Sequence, residues 1–170
     1  AVPQGAAVSS RVAQIEQKLR SALAPQRLDI VDDSAKHAGH AGARESGGGH
    51  YNVTIVSAAF AGKNLIERHR LVYGALGELY VEKERYQDGA GAYRAFSQRQ
   101  PMSPDAPLFL VRATEAHAKG GFTSLVLESK AELVEQYGPK SAYWRAHPAD
   151  LDPQVSTAVQ ANLLDLAHHY

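Results

Sequence analysis

Cysteine is missing from all 170 residues. That excludes disulfides, and any metal held by this chain must rely on histidine, carboxylate or a partner's thiolate. No apolar run comes near the ~20 residues needed to cross a bilayer. Residues 1–10 are small and polar and lack the basic-then-apolar pattern of a secretion signal. A cytoplasmic protein with no membrane partner is the expectation. Neither charge sign is in excess, with 18 basic and 18 acidic side chains, so no global field draws the chain to nucleic acid or to a membrane. Gly-x-Ser-x-Gly and Walker-type phosphate loops are also missing. With no thiol, and no nucleophile beside a recognisable base, the chain is not expected to be an enzyme.

What remains is an ordinary apolar share of 44%, enough for one domain or two very small ones. Residues 1–9 have the composition of a flexible tail. Ser10 can cap a helix carrying Val12, Ile15, Leu19 and Leu23 at helical spacing, which Pro25 stops. Leu28 to Asp32 form a short strand. Residues 34–50 are a polar, glycine-rich loop containing His37, His40 and His50. Tyr51, Val53 and Ile55 then alternate with Asn52 and Thr54, the pattern of a half-buried strand. Phe60-Ala61-Gly62 turns the chain. A helix beginning near Lys63 carries Leu65, Ile66, His69, Val72 and Leu76, and continues with no stop signal to about Lys83.

From there the pattern is helical throughout. Helices over 87–98, 106–118, 124–137 and 154–170 are punctuated by Pro101, Pro104, Gly120-Gly121 and Gly138-Pro139. Residues 107–111 and 124–127 fit either strand or helix, and helix is preferred. The last helix runs to the final residue without a capping signal, as a piece of a larger helical array would.

The run Gly62-Lys63-Asn64-Leu65-Ile66-Glu67-Arg68-His69-Arg70-Leu71-Val72, entered through Phe60-Ala61-Gly62, resembles the signature of the BolA family. The upstream order is similar too: a helix, a strand with Val31-Asp32-Asp33-Ser34, a histidine-bearing loop, then His50 to Ser57. The resemblance covers about residues 10–76. It implies a small KH-like α/β unit and a non-enzymatic partner of monothiol glutaredoxins that shares a [2Fe–2S] cluster with them. Some members act as DNA-binding transcriptional regulators.

A cluster iron accepts imidazole nitrogen as well as thiolate, and the resemblance places the loop ligand at His37, with His40 next. The alternative is a pair of solvated loop histidines. Arg68, His69 and Arg70 are the candidates for meeting DNA phosphates or an acidic partner surface. The alternative is a packed His69 flanked by solvated arginines. The family's third strand, which begins with a Val-His-Ala-Leu type sequence and brings a second histidine ligand, has no counterpart: after Leu76 no histidine occurs until His117. The expected fold is therefore α+β, a BolA-like unit lacking its last strand and followed by helical hairpins.

Tyr73, Leu76, Gly77, Tyr80, Tyr93 and Pro101, with Gly89 at a small-residue position, resemble one tetratricopeptide repeat. Phe96 stands where alanine is usual. A degenerate second unit spans about 105–138, and a plain helical hairpin with an aromatic core is the alternative. Such pairs bind peptides or proteins in a groove. The two resemblances share the helix of about 63–84 and overlap at Tyr73 to Leu76, so a fusion joint is expected at Ala75 to Tyr80. The domains expected are thus a tail over 1–9, a BolA-like unit over 10–76 and a helical region over 77–170. The function expected is BolA-like binding or regulation. The rivals are a tetratricopeptide-type scaffold and a fusion product with no evolved activity.

Overall fold

The computed structural model describes residues 4–33, 51–147 and 153–169. Helix α1 (Gln4–Leu23) leads into strands β1 (Arg27–Asp32) and β2 (Tyr51–Val56) and a single 3-10 turn, Ala58–Phe60. Five longer helices and one short one follow: α2 (Leu65–Glu82), α3 (Tyr86–Arg99), α4 (Ala106–Lys119), α5 (Thr123–Tyr137), the short α6 (Ala142–Ala146) and α7 (Pro153–His169). Helix α1 thus starts at Gln4, well ahead of the Ser10 proposed as its cap. The segment 107–111 lies in α4 and 124–127 in α5, both helical.

Among the described residues the sheet has two strands, antiparallel, with Leu28 opposite Ile55, Ile30 opposite Val53 and Asp32 opposite Tyr51. The alternation sends Leu28, Ile30, Tyr51, Val53 and Ile55 toward a core built on Ile15, Leu19 and Leu23 of α1 and Ala75 and Leu79 of α2. Their neighbours Asp29, Asn52 and Thr54 face solvent, the period of two that a one-sided sheet demands.

The turn into α2 has a local cause. Gly62 sits at φ +69°, a left-handed conformation that side chains with a Cβ rarely adopt. Asn64 then caps α2 in a reciprocal box: its side chain accepts from the Glu67 amide at 3.0 Å, and the Glu67 carboxylate accepts from the Asn64 amide at 2.8 Å.

Helix α2 serves two cores at once. Its Leu71, Val72, Ala75, Leu76 and Leu79 pack toward α1 and the sheet, while Tyr73 and Val81 pack on the helical core. That second core centres on Tyr93 and Phe96 of α3, Phe109, Leu110 and Ala113 of α4, Leu133 and Tyr137 of α5 and Val155 and Val159 of α7. Phe96, Leu110 and Leu133 are fully buried, worth about 2 kcal/mol each on transfer from water. Phe96 and Phe109 lie 4.3 Å apart between centroids.

The proline turns between the helices are tied to this core by hydrogen bonds. The Ser97 hydroxyl donates to the Ala106 carbonyl at 2.5 Å, and the Tyr137 hydroxyl donates to the Pro101 carbonyl at 3.1 Å. Helix α6 packs Tyr143 edge-on to Tyr137, and the neighbouring Trp144 indole donates to the Tyr137 carbonyl at 2.8 Å.

Candidate functional site

An open cleft of about 1020 Å³ runs beside β2. Tyr51, Asn52, Val53 and Ile55 of β2 line it, and no residue of β1 does. Asn52 faces the opposite side of the sheet from Val53 and Ile55, so the cleft follows the edge of β2 that no strand among the described residues pairs with. Helix α2 forms the facing wall with Leu65, Arg68, His69, Val72, Leu76 and Tyr80, and α3 closes the far side with Asp88, Arg94 and Arg99. Burial holds the Tyr80 phenol above its ordinary value, against the opposing pull of the Arg85 guanidinium, which stacks 4.7 Å over the ring.

The three motif residues of α2 are not held together. Arg68 and His69 line the cleft. The Arg68 Nε donates to the Lys63 carbonyl at 2.9 Å, and the side chain is exposed. His69 meets Tyr73 edge-on at 6.1 Å, and its Nδ1 is buried with no hydrogen-bond partner among the described residues. Arg70 points elsewhere. Its guanidinium grips both carboxylate oxygens of Asp105, each at 3.2 Å, in a smaller groove between α2 and α4. A 100° step per residue separates Arg70 from its two predecessors on the helix surface.

The loop histidines His37 and His40 lie outside the described residues. Among the described residues no group of three or more histidines and carboxylates is placed to hold a metal ion. His117, the first histidine after the motif, is spoken for in the helical core: its Nδ1 lies 3.0 Å from the Ser129 hydroxyl. Desolvation, helped by the Arg94 guanidinium, pulls its pKa below the ordinary 6.5. A [2Fe–2S] cluster therefore does not fit a ligand set drawn from the described residues alone.

A family model described as BolA-like protein matches residues 19–84. The UV-induced protein uvi31 of Schizosaccharomyces pombe is 32% identical over 91 residues, which is 52% of this chain and 83% of that protein. The chain belongs to the BolA-like family. "Protein BOLA1, chloroplastic" of Arabidopsis thaliana is 47% identical over 74 residues, covering 42% of this chain and 46% of the relative. The "DNA-binding transcriptional regulator BolA" of Escherichia coli is 40% identical over 65 residues, covering 38% of this chain and 58% of the relative.

The chain thus spans about half the length of these last two relatives. No solved structure matches it. The BolA-like match runs past Leu76 to the end of α2 and takes in the whole α2 wall of the cleft, and it leaves α3 to α7 uncovered. No helix among the described residues is long and apolar enough to cross a membrane.

The cleft itself was not legible in the sequence. Its α3 wall follows β2 by more than thirty residues, and only the α2–α3 hairpin brings the two together. The one available signal was the lack of charge in β2 beside a missing third strand.

Proposed function

We propose that this BolA-like chain is a non-enzymatic binding and regulatory protein that meets a monothiol glutaredoxin in [2Fe–2S] cluster handling. The observation that carries this reading is the family match over residues 19–84, within which Arg68 and His69 stand on one wall of an open cleft. The glutaredoxin would supply thiolates, and this chain would supply a loop imidazole, His37 first and His40 next. With no counterpart of the family's third-strand histidine directly after α2, and His117 paired with Ser129 in the helical core, the pair would hold its cluster with one ligand from this chain. The experiment is to mix the full chain with a monothiol glutaredoxin carrying a cluster and to follow visible absorption and circular dichroism. The spectrum should shift on mixing, and His37→Ala with His40→Ala should abolish the shift. An unchanged spectrum on mixing, or an undiminished shift in the double variant, overturns the reading.

Regulation through DNA is the other BolA-like role, suggested by the Escherichia coli relative named a DNA-binding transcriptional regulator. In that role Arg68 is the available cation of the motif, since Arg70 is paired with Asp105. Two arginines fall far below the basic footprint of a tight DNA binder.

A second reading, a tetratricopeptide-type scaffold for peptides or proteins, rests on a specific contact. A Cβ at Gly77 would lie 2.4 Å from the Tyr93 ring, and one at Gly89 would lie 2.8 Å from Val81. The small positions of the repeat pattern are thus positions where α2 and α3 approach closely. Pull-down with residues 77–170 alone, compared with the full chain, separates the scaffold from the BolA-like reading.

A further inference from the structure

We propose that the edge of β2 left unpaired among the described residues accepts an extended, acidic segment of a partner protein as a third strand, seated in the cleft between the sheet and α2. An unpaired strand edge presents a row of amide and carbonyl groups to any chain that can lie alongside it. Folded proteins usually blunt such an edge with lysine, proline or a bulge. The sequence of β2, Tyr-Asn-Val-Thr-Ile-Val, has none of these and no charge at all. The cleft lies along that edge, and a strand pairing with all of β2 would be six residues, about 20 Å long. Leu65 is 62% exposed on the opposite wall, beside Val72, and offers an apolar surface to every second side chain of an incoming strand.

Charge selects the occupant. Of the arginines lining the cleft, Arg94 is already paired with Glu132 at 2.5 Å, and the one lining carboxylate, Asp88, is held by Arg85 at 2.6 Å. Arg68 and Arg99 remain, and neither has an acidic partner among the described residues. A second copy of this chain pairing through its own β2 would bring no carboxylate on that strand and would place another Arg68 nearby. An acidic strand satisfies both the backbone edge and the two arginines. Nucleic acid would meet only two free cations beside a largely apolar floor. Such an occupant needs neither a cluster nor a glutaredoxin.

The test uses the full chain and a capped, fluorescein-labelled six-residue peptide of alternating valine and glutamate, about the length of β2. Binding should saturate in fluorescence anisotropy and weaken with added salt. Hydrogen exchange should slow at the amides of 51–56. Arg68→Glu combined with Arg99→Glu should weaken binding about tenfold, as two surface ion pairs would, while leaving the far-ultraviolet circular dichroism unchanged. The valine–lysine counterpart should not bind. The proposal is overturned by any of four results: no saturation at millimolar peptide, binding that leaves the 51–56 amides unprotected, equal binding of the lysine peptide, or protection of those amides that rises with protein concentration alone, the mark of a second copy. A single-stranded oligonucleotide that binds more tightly and protects the same amides overturns it as well.

Discussion

Gly77 of α2 and Tyr93 of α3 occupy one space: a Cβ built on Gly77 would stand 2.4 Å from the Tyr93 Cε1 and 2.6 Å from its Cζ. The ring has little room to yield, because Phe109 meets it edge-on at 5.8 Å and the Arg112 guanidinium lies 6.0 Å over it. Gly77 therefore sets the distance between the helix that completes the BolA-like unit and the hairpin that follows.

Gly77→Ala pits helix propensity against overpacking. Alanine gains about 1 kcal/mol in a helix interior, but forcing a methyl into a filled contact costs about 1–3 kcal/mol. A net loss of about 1 kcal/mol is expected in urea titration. Adding Tyr93→Leu to Gly77→Ala should cost less than the sum of the two single changes. If Gly77→Ala is neutral or stabilising, α2 and α3 are not held by this contact.

Gly91 supplies the contrast on the same hairpin. It is exposed in α3, and a Cβ there would meet nothing within 4 Å. Gly91→Ala should raise stability by about 0.5–1 kcal/mol. A loss measured by thermal melting would mean that the α3 surface is covered by something other than water.

Much of this architecture was legible because local chemistry announced it. The alternation of Tyr51, Val53 and Ile55, the turn at Gly62 and the breaks at Pro101, Pro104 and Gly120-Gly121 mark elements whose ends depend on a few adjacent residues. Helix α6 escaped notice because five residues around Tyr143 and Trp144 give no periodicity; their helix is held by aromatic packing on Tyr137. The candidate site was less legible still. Sequence proximity joins Arg68, His69 and Arg70, but helical geometry and a carboxylate 35 residues away at Asp105 take Arg70 to another face. Arg99, which shares the cleft with Arg68, carries no motif at all.

The division of labour between Arg68 and Arg70 is itself testable. The Arg70–Asp105 pair is roughly two-fifths exposed on both sides, so it contributes at most about 1 kcal/mol. Arg70→Ala should shift the urea midpoint slightly and leave partner binding intact. Arg68→Ala should leave the midpoint unchanged and weaken binding of any partner that uses the motif. The opposite pattern, with Arg70→Ala the more damaging to binding, would show that the partner breaks the ion pair to reach Arg70.

The buried pair of His117 and Ser129 gives the helical region a pH signature. His117 faces Arg94 from α3 and Glu128 and Ser129 from α5, and it is 7% exposed. Desolvation and Arg94 favour the neutral ring, while Glu128 and the Leu125 backbone oppose them less strongly. The folded pKa therefore lies below the unfolded value of 6.5. As pH falls, the unfolded chain takes up its proton first, so the contribution of this group is intact above about pH 7 and drains as pH drops through the ordinary histidine range toward the folded value. His117→Gln keeps a polar group for Ser129 and removes the titration. Stability measured by urea unfolding at a series of pH values should therefore fall more steeply below about pH 7 in the parent chain than in His117→Gln. Parallel curves for the two proteins would mean that His117 takes up its proton in the fold as readily as in the unfolded chain, with Glu128 offsetting desolvation and Arg94.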